Sequence, residues 1–213
     1  MKAVDWSLYL VTDRSLSRGR STESLVEAAI RGGATVVQYR EKNLSTRMMI
    51  EEAAAIAAIC RRLGALFIVN DRLDVALAVG ADGLHVGQDD MPARVARDLL
   101  GPAAILGVSA GSGAEAKKAE AAGADYIGAS PIFSTPTKTD AGPALGIAGL
   151  SAMAAATTLP VVAIGGINAD NARSLIAAGA SGLAVVSAIV AADDPEVSAR
   201  NLRTIIDGAR RRA

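Results

Sequence analysis

The stretch Gly32-Gly33-Ala34-Thr35-Val36-Val37-Gln38-Tyr39-Arg40-Glu41-Lys42 decides the fold. A segment with helical spacing, about 22–32, runs into it and stops at a glycine, the residue that accepts positive φ past a helix C-terminus without steric penalty. A short apolar, β-branched run follows, and it ends on an amide, two cations and a carboxylate. The unit therefore reads as helix, glycine stop, buried strand, polar loop. The same Gly-Ala punctuation recurs at Gly64-Ala65, Gly80-Ala81, Gly123-Ala124 and Gly179-Ala180, each time just ahead of an apolar run.

Extending this reading in both directions predicts eight strands, at about 8–12, 35–40, 66–69, 83–86, 104–109, 125–129, 161–164 and 183–187. Eight helices alternate with them, at about 22–32, 45–63, 72–79, 92–100, 112–122, 147–156, 169–178 and 195–210. Ser21, Ser45, Pro92 and Pro195 supply start signals for four of the helices. Eight strand-then-helix units, beginning with a strand and ending with a helix, predict an α/β chain folded as one (β/α)8 TIM barrel over residues 1–213. The competing architecture is an open doubly wound sheet. It lacks support because Val11-Thr12-Asp13-Arg14, not a Gly-x-Gly-x-x-Gly turn, follows the first strand. One long connection, 130–146, is rich in Pro, Thr and Gly and has the length of a binding loop or lid.

Composition agrees with a buried parallel sheet. Half the residues are hydrophobic (51%) but only 3% are aromatic, so the core must come mainly from Ala, Val, Leu and Ile. Lys+Arg and Asp+Glu both number 22, which leaves no net field for nucleic acid or an anionic membrane; any anion site must be local. The single cysteine, Cys60, permits no intramolecular disulfide and points to a reducing compartment. The first residues lack a secretory pattern, and no apolar run approaches the ~20 residues of a bilayer span. A soluble cytoplasmic protein is expected, with a homo-oligomer left open.

In a parallel sheet all the polar run-ends fall on one rim, the usual address of an α/β active site. Asp71 and Asp90 end the third and fourth runs, which are neighbours in a barrel. Two carboxylates plus water and substrate phosphates make a typical Mg2+ shell. Each Asp equally suits the N-cap of the next helix. Spacing alone leaves both roles open, and Asp89 competes for the metal in the same turn. Gln38, Arg40 and Lys42 alternate, so they share a face while the strand stays extended. Lys138, in the long loop, is a point charge suited to a leaving phosphate. Gly165-Gly166 and the Val186-Ser187 pair ending the eighth strand fit the phosphate site common in such barrels, where backbone N–H groups bind the dianion. His85, the sole histidine, is read as a packed, hydrogen-bonded strand residue. Cys60 is read as helix packing, and Arg14, Arg18 and Arg20 as a mobile basic loop. No Cys/His cluster suggests zinc, and no Ser-His-Asp order suggests a triad.

Taken together these segments resemble the thiamine-phosphate synthase (thiamine-phosphate pyrophosphorylase) family. The resemblance is carried by Gln38-Tyr39-Arg40-Glu41-Lys42, Asn70-Asp71-Arg72, His85-Val86-Gly87-Gln88-Asp89-Asp90, Gly107-Val108-Ser109, Thr135-Pro136-Thr137-Lys138, Gly165-Gly166-Ile167 and Val185-Val186-Ser187, in family order. It implies a barrel that joins a hydroxymethylpyrimidine diphosphate to a thiazole phosphate, commonly carboxylated, giving thiamine phosphate, pyrophosphate and, from the carboxylated form, CO2. By position, Gln38, Arg40, Lys42, Asn70, Ser109 and Lys138 hold the pyrimidine diphosphate, with Arg40, Lys42, Ser109 and Lys138 acting in catalysis. Tyr39 and Glu41 belong to the same binding segment. Asp71 and Asp90 hold Mg2+. Thr135, Thr137, Gly166, Val186 and Ser187 hold the thiazole phosphate, with Pro136 inside that segment. After Ser109 the chain reads Ala110-Gly111-Ser112, where the related thiazole tautomerase branch uses a histidine. That departure weighs against a tautomerase; a non-catalytic barrel that binds thiamine phosphates is the other alternative.

Overall fold

The structure, a computed structural model, describes residues 4–134 and 143–211. Eight parallel strands close into a barrel in strict chain order. They are β1 (Leu8–Val11), β2 (Val36–Tyr39), β3 (Leu66–Asn70), β4 (Gly83–Val86), β5 (Ile105–Ala110), β6 (Tyr126–Ala129), β7 (Val161–Ile164) and β8 (Gly182–Val185). Closure is made by β1, which pairs with β2 at Tyr9↔Val36 and with β8 at Tyr9↔Ala184. The helices outside are α1 (Thr22–Arg31), α2 (Thr46–Leu63), α3 (Leu73–Val79), α4 (Ala93–Leu100), α5 (Gly113–Ala121), α6 (Gly146–Ala156), α7 (Ala169–Ala177), α8 (Ser187–Val190) and α9 (Pro195–Arg210). The barrel expected from the repeating unit is the one observed.

Two cores follow from the period-2 geometry of strands. Outward residues such as Leu10, Val37, Val69, Leu106 and Leu183 pack under the helices. Inward residues, among them Tyr9, Val36, Ile68, Tyr126 and Val162, fill the barrel itself around Trp6. Half of the six aromatic residues are spent on this plug: Trp6 and Tyr126 lie 4.4 Å apart by ring centroid, and Tyr9 lies 6.0 Å from Tyr126. Room for the Tyr126 ring is made by Gly107 on the adjacent strand β5, where an added Cβ would stand 2.1 Å from the ring's Cζ. The small-residue composition thus has a definite geometric use.

The expected punctuation is present. Glycines 33, 64, 80, 123 and 179 all adopt positive φ. Ser21 and Ser45 cap α1 and α2, accepting from the N–H groups of Ser24 and Met48. Two departures matter for the site. β8 ends at Val185, so Ser187 is not the last strand residue but the first residue of a short extra helix, α8, invisible to a scan for long periodic segments. The 14–20 segment is also not a free basic loop. Arg14–Leu16 forms a 3-10 turn capped by Asp13, and each arginine is committed. Arg14 binds Glu41 and Glu52, Arg18 binds Asp193, and Arg20 donates to the carbonyls of Val190 and Ala192 at the end of α8.

Candidate active site

The C-terminal strand ends surround a cavity of about 210 Å³. Its walls bring together Gln38 of β2 with Arg40 and Lys42 just past it, Asn70 of β3 with Asp71 just past it, Asp90 of the turn after β4, and Ser109 of β5. Across the mouth stand Gly165 and Gly166 after β7, and Val186 and Ser187 at the start of α8. The sequence-predicted Thr135, Pro136, Thr137 and Lys138 lie outside the described residues. The stems of their loop are closed on each other, since Leu145 and Gly146 donate backbone hydrogen bonds to the carbonyls of Pro131 and Ile132.

The carboxylate pair is where the cap alternative fails. α3 starts after Arg72 and α4 after Pro92, neither with a side-chain cap from an aspartate. Asp71 instead sits at φ +59°, unusual for a residue with a Cβ, and its N–H is anchored to the His85 carbonyl at 2.8 Å. That conformation turns its carboxylate to Lys42, whose Nζ is 2.9 Å away. Asp90 accepts from the Gly87 N–H at 2.7 Å and faces Asp71. Burial first, and then the neighbouring Asp71 carboxylate, hold the Asp90 carboxyl above its ordinary range; Lys42 and the Gly87 N–H oppose them. Asp89 lines the same wall, but the carboxylate that meets Asp71 belongs to Asp90.

Two residues of the predicted binding segment do not reach the cavity. Tyr39 points outward to the helix layer, where its hydroxyl donates to Glu52 at 2.7 Å. Glu41 lies under its own loop. It accepts from the N–H groups of Lys42 and Asn43 at 2.8 and 2.7 Å, and from Arg14 at 2.8 Å. Burial works against its charge, yet these partners keep the carboxyl below its ordinary range. Glu41 is therefore the fastener that fixes Arg40 and Lys42, a role that simple alternation along β2 already separates from the inward face. Arg40 is steadied from the other side by Asp13, 3.5 Å away, and by Thr12, whose Oγ1 accepts the Arg40 N–H at 2.9 Å.

Sequence reasoning missed the floor. Tyr9 and Tyr126 line the cavity from below, and a hydrogen-bonded chain crosses it. Gln38 Nε2 donates to Tyr9 (2.9 Å), Tyr9 meets Tyr126 (2.7 Å), Tyr126 meets His85 Nδ1 (2.9 Å), and His85 Nε2 meets Ser109 Oγ (2.9 Å). His85 is buried and hydrogen-bonded, as its lone position inside a strand suggested. The signal for the tyrosines was present: each is an inward position by alternation in a strand otherwise made of aliphatic and small residues.

The fold and the cavity define a class: a (β/α)8 barrel with its polar, charged pocket at the C-terminal rim. Within that class the chain belongs to the thiamine monophosphate synthase family, whose sequence profile matches residues 8–189. It is 57% identical to a thiamine-phosphate synthase of Chloroflexus aurantiacus, over 99% of this chain and 97% of that one. It is 55% identical to that of Moorella thermoacetica, over 96% and 98% of the two chains. Among solved structures, the thiamine phosphate pyrophosphorylase of Pyrococcus furiosus superposes with a TM-score of 0.89 at 42% identity, covering 97% of this chain and 98% of that one. A 3-hexulose-6-phosphate synthase, at 19% identity and a TM-score of 0.66, shares the fold alone.

Proposed function

We propose that this chain is a transferase of thiamine biosynthesis. It joins a hydroxymethylpyrimidine diphosphate to a thiazole phosphate, releasing pyrophosphate and, from a carboxylated thiazole, CO2. The observation that carries this reading is the convergence of Arg40, Lys42, Asp71, Asp90 and Ser109 on one cavity wall, opposite Gly166 and Ser187. An isomerase of a phosphorylated sugar or thiazole would use the second wall and leave the first without work.

The Asp71–Asp90 pair suits Mg2+. Two carboxylates in contact, one of them with raised proton affinity, are relieved by a divalent cation that also takes phosphate oxygens. Mg2+ held there would spread the charge of the departing diphosphate. Arg40 and Lys42 do the same from β2, aided by Lys138 of the long loop, so that the C–O bond breaks with little nucleophilic push. The electron-rich aminopyrimidine supports the cation left on its methylene. Gly166, Val186 and Ser187, with Thr135 and Thr137, hold the thiazole phosphate so that the ring nitrogen meets that cation. The chain's work is positioning and charge stabilisation, which asks for no general base.

Among the described residues no helix is long and apolar enough to cross a membrane. Cys60, buried in α2, is the sole cysteine and has no partner for an intramolecular disulfide, in keeping with a cytoplasmic, reducing setting. The test is direct: the purified protein is given both substrates with and without Mg2+, and thiamine phosphate is measured. Product that depends on Mg2+ is expected. Its absence at saturating Mg2+ overturns the assignment.

A further inference from the structure

The chain of hydrogen bonds across the cavity floor has a direction. Gln38 gives an N–H to the Tyr9 oxygen. Each tyrosine hydroxyl carries one hydrogen, and burial keeps both hydroxyls protonated, raising them far above the ordinary phenol range. Gln38 can only donate to Tyr9, and among the described residues Tyr126 is the other partner of the Tyr9 hydroxyl, so the Tyr9 hydrogen goes to Tyr126. Tyr126 has then accepted in turn, and its hydrogen goes to His85 Nδ1. A neutral imidazole that accepts at Nδ1 carries its proton at Nε2, which faces the Ser109 oxygen. The reverse order would leave the Tyr9 hydrogen without an acceptor unless the Gln38 amide presented its oxygen to it.

We propose that Tyr9, Tyr126 and His85 are positioning residues: a directional relay that holds His85 in its Nε2–H form and so leaves the Ser109 hydroxyl hydrogen for an acceptor on the bound substrate. At its other end the relay fixes the Gln38 amide through its Nε2 donor. The relay has seats built for it in the strands. Gly107 leaves room for the Tyr126 ring, and at Gly128 an added Cβ would stand 2.9 Å from His85 Cε1. Trp6 backs Tyr126 from the closed end of the barrel. The arrangement gives Ser109 a fixed donor role instead of a rotor that accepts or donates as chance allows, which is how a supporting layer sharpens a site.

This inference rests on the proposed function for its meaning, but it is tested without it. His85 is the only histidine, so the protein labelled with 15N-histidine shows one imidazole by long-range 1H–15N NMR. The expected pattern is a pyridine-like Nδ1 and a pyrrole-like Nε2, kept in Ser109→Ala because the order is imposed from the tyrosine side. In Tyr126→Phe the ring should redistribute between tautomers, and kcat should fall about tenfold, the effect of one lost orienting hydrogen bond. An Nδ1–H tautomer or an imidazolium in the wild type overturns the relay, and so does a Tyr126→Phe spectrum identical to wild type. Failure to form thiamine phosphate would instead strike the proposed reaction and leave the tautomer reading standing.

Discussion

At Asp71 the backbone stands at φ +59°, a region that Asp and Asn tolerate far better than branched side chains. Asp71→Asn therefore keeps the conformation and removes only the charge that faces Asp90 and Lys42. The expected result is an unchanged melting temperature, a Mg2+ requirement raised about tenfold, of the order expected for one lost charged ligand, and slower turnover. Rates unaffected at limiting Mg2+ would show that Asp71 is no ligand. The residue types at this position and at Asp90 were legible from the chain, but their purpose was not. Cap and metal ligand call for the same side chain, and the helix starts, one after Arg72 and one after Pro92, exclude the cap.

Among the elements, the turn after β2 and the short helix α8 decide how the two walls are held. Glu41 fastens the β2 turn with a carboxyl kept below the ordinary glutamate value of 4.5. A depressed folded value means stabilisation that is fully present above about 4.5 and is lost as the pH falls through the folded value. Glu41→Gln should therefore be less stable than wild type at neutral pH, with the gap closing in acid, and should raise KM for the diphosphate substrate more than for the monophosphate. Melting curves from pH 7 down to about 3 check the first part; a gap that widens in acid contradicts it. Helix α8 was not anticipated because four residues carry no periodicity, yet it moves Ser187 from a strand end to a helix start. Its far carbonyls are taken up by Arg20, in a segment whose basic composition alone suggests a mobile loop.

On the scale of the whole barrel, the aromatic plug couples stability to the site. Gly107→Ala places a Cβ 2.1 Å from Cζ of Tyr126, the far end of a ring held by burial and by its hydrogen bonds to Tyr9 and His85. A loss of about 1–3 kcal/mol is expected from such overpacking. The relay through Tyr126 should be disturbed with it, so activity should fall even at temperatures where the variant remains folded. Normal activity with a normal melting temperature would mean that the ring finds another seat.

The chain by itself determined the architecture, because most units repeat one physical sentence: helix, glycine stop, short apolar strand, polar end. Strand polarity then sends Gln38, Arg40, Asp71, Asp90 and Ser109 to one rim, since in a parallel barrel all C-terminal ends lie together. Local pattern does not determine which strand-end groups meet or what each does on meeting. Tyr39 and Glu41 turned out to be supports, Asp90 and not Asp89 faces Asp71, and Tyr9, 117 residues from Tyr126, completes a hydrogen-bonded floor. Those outcomes depend on closure of the barrel, which brings inward positions of β1 and β6 within 2.7 Å of each other across its interior. Contacts of that range have no signature in sequence spacing, so only the tertiary structure could decide them.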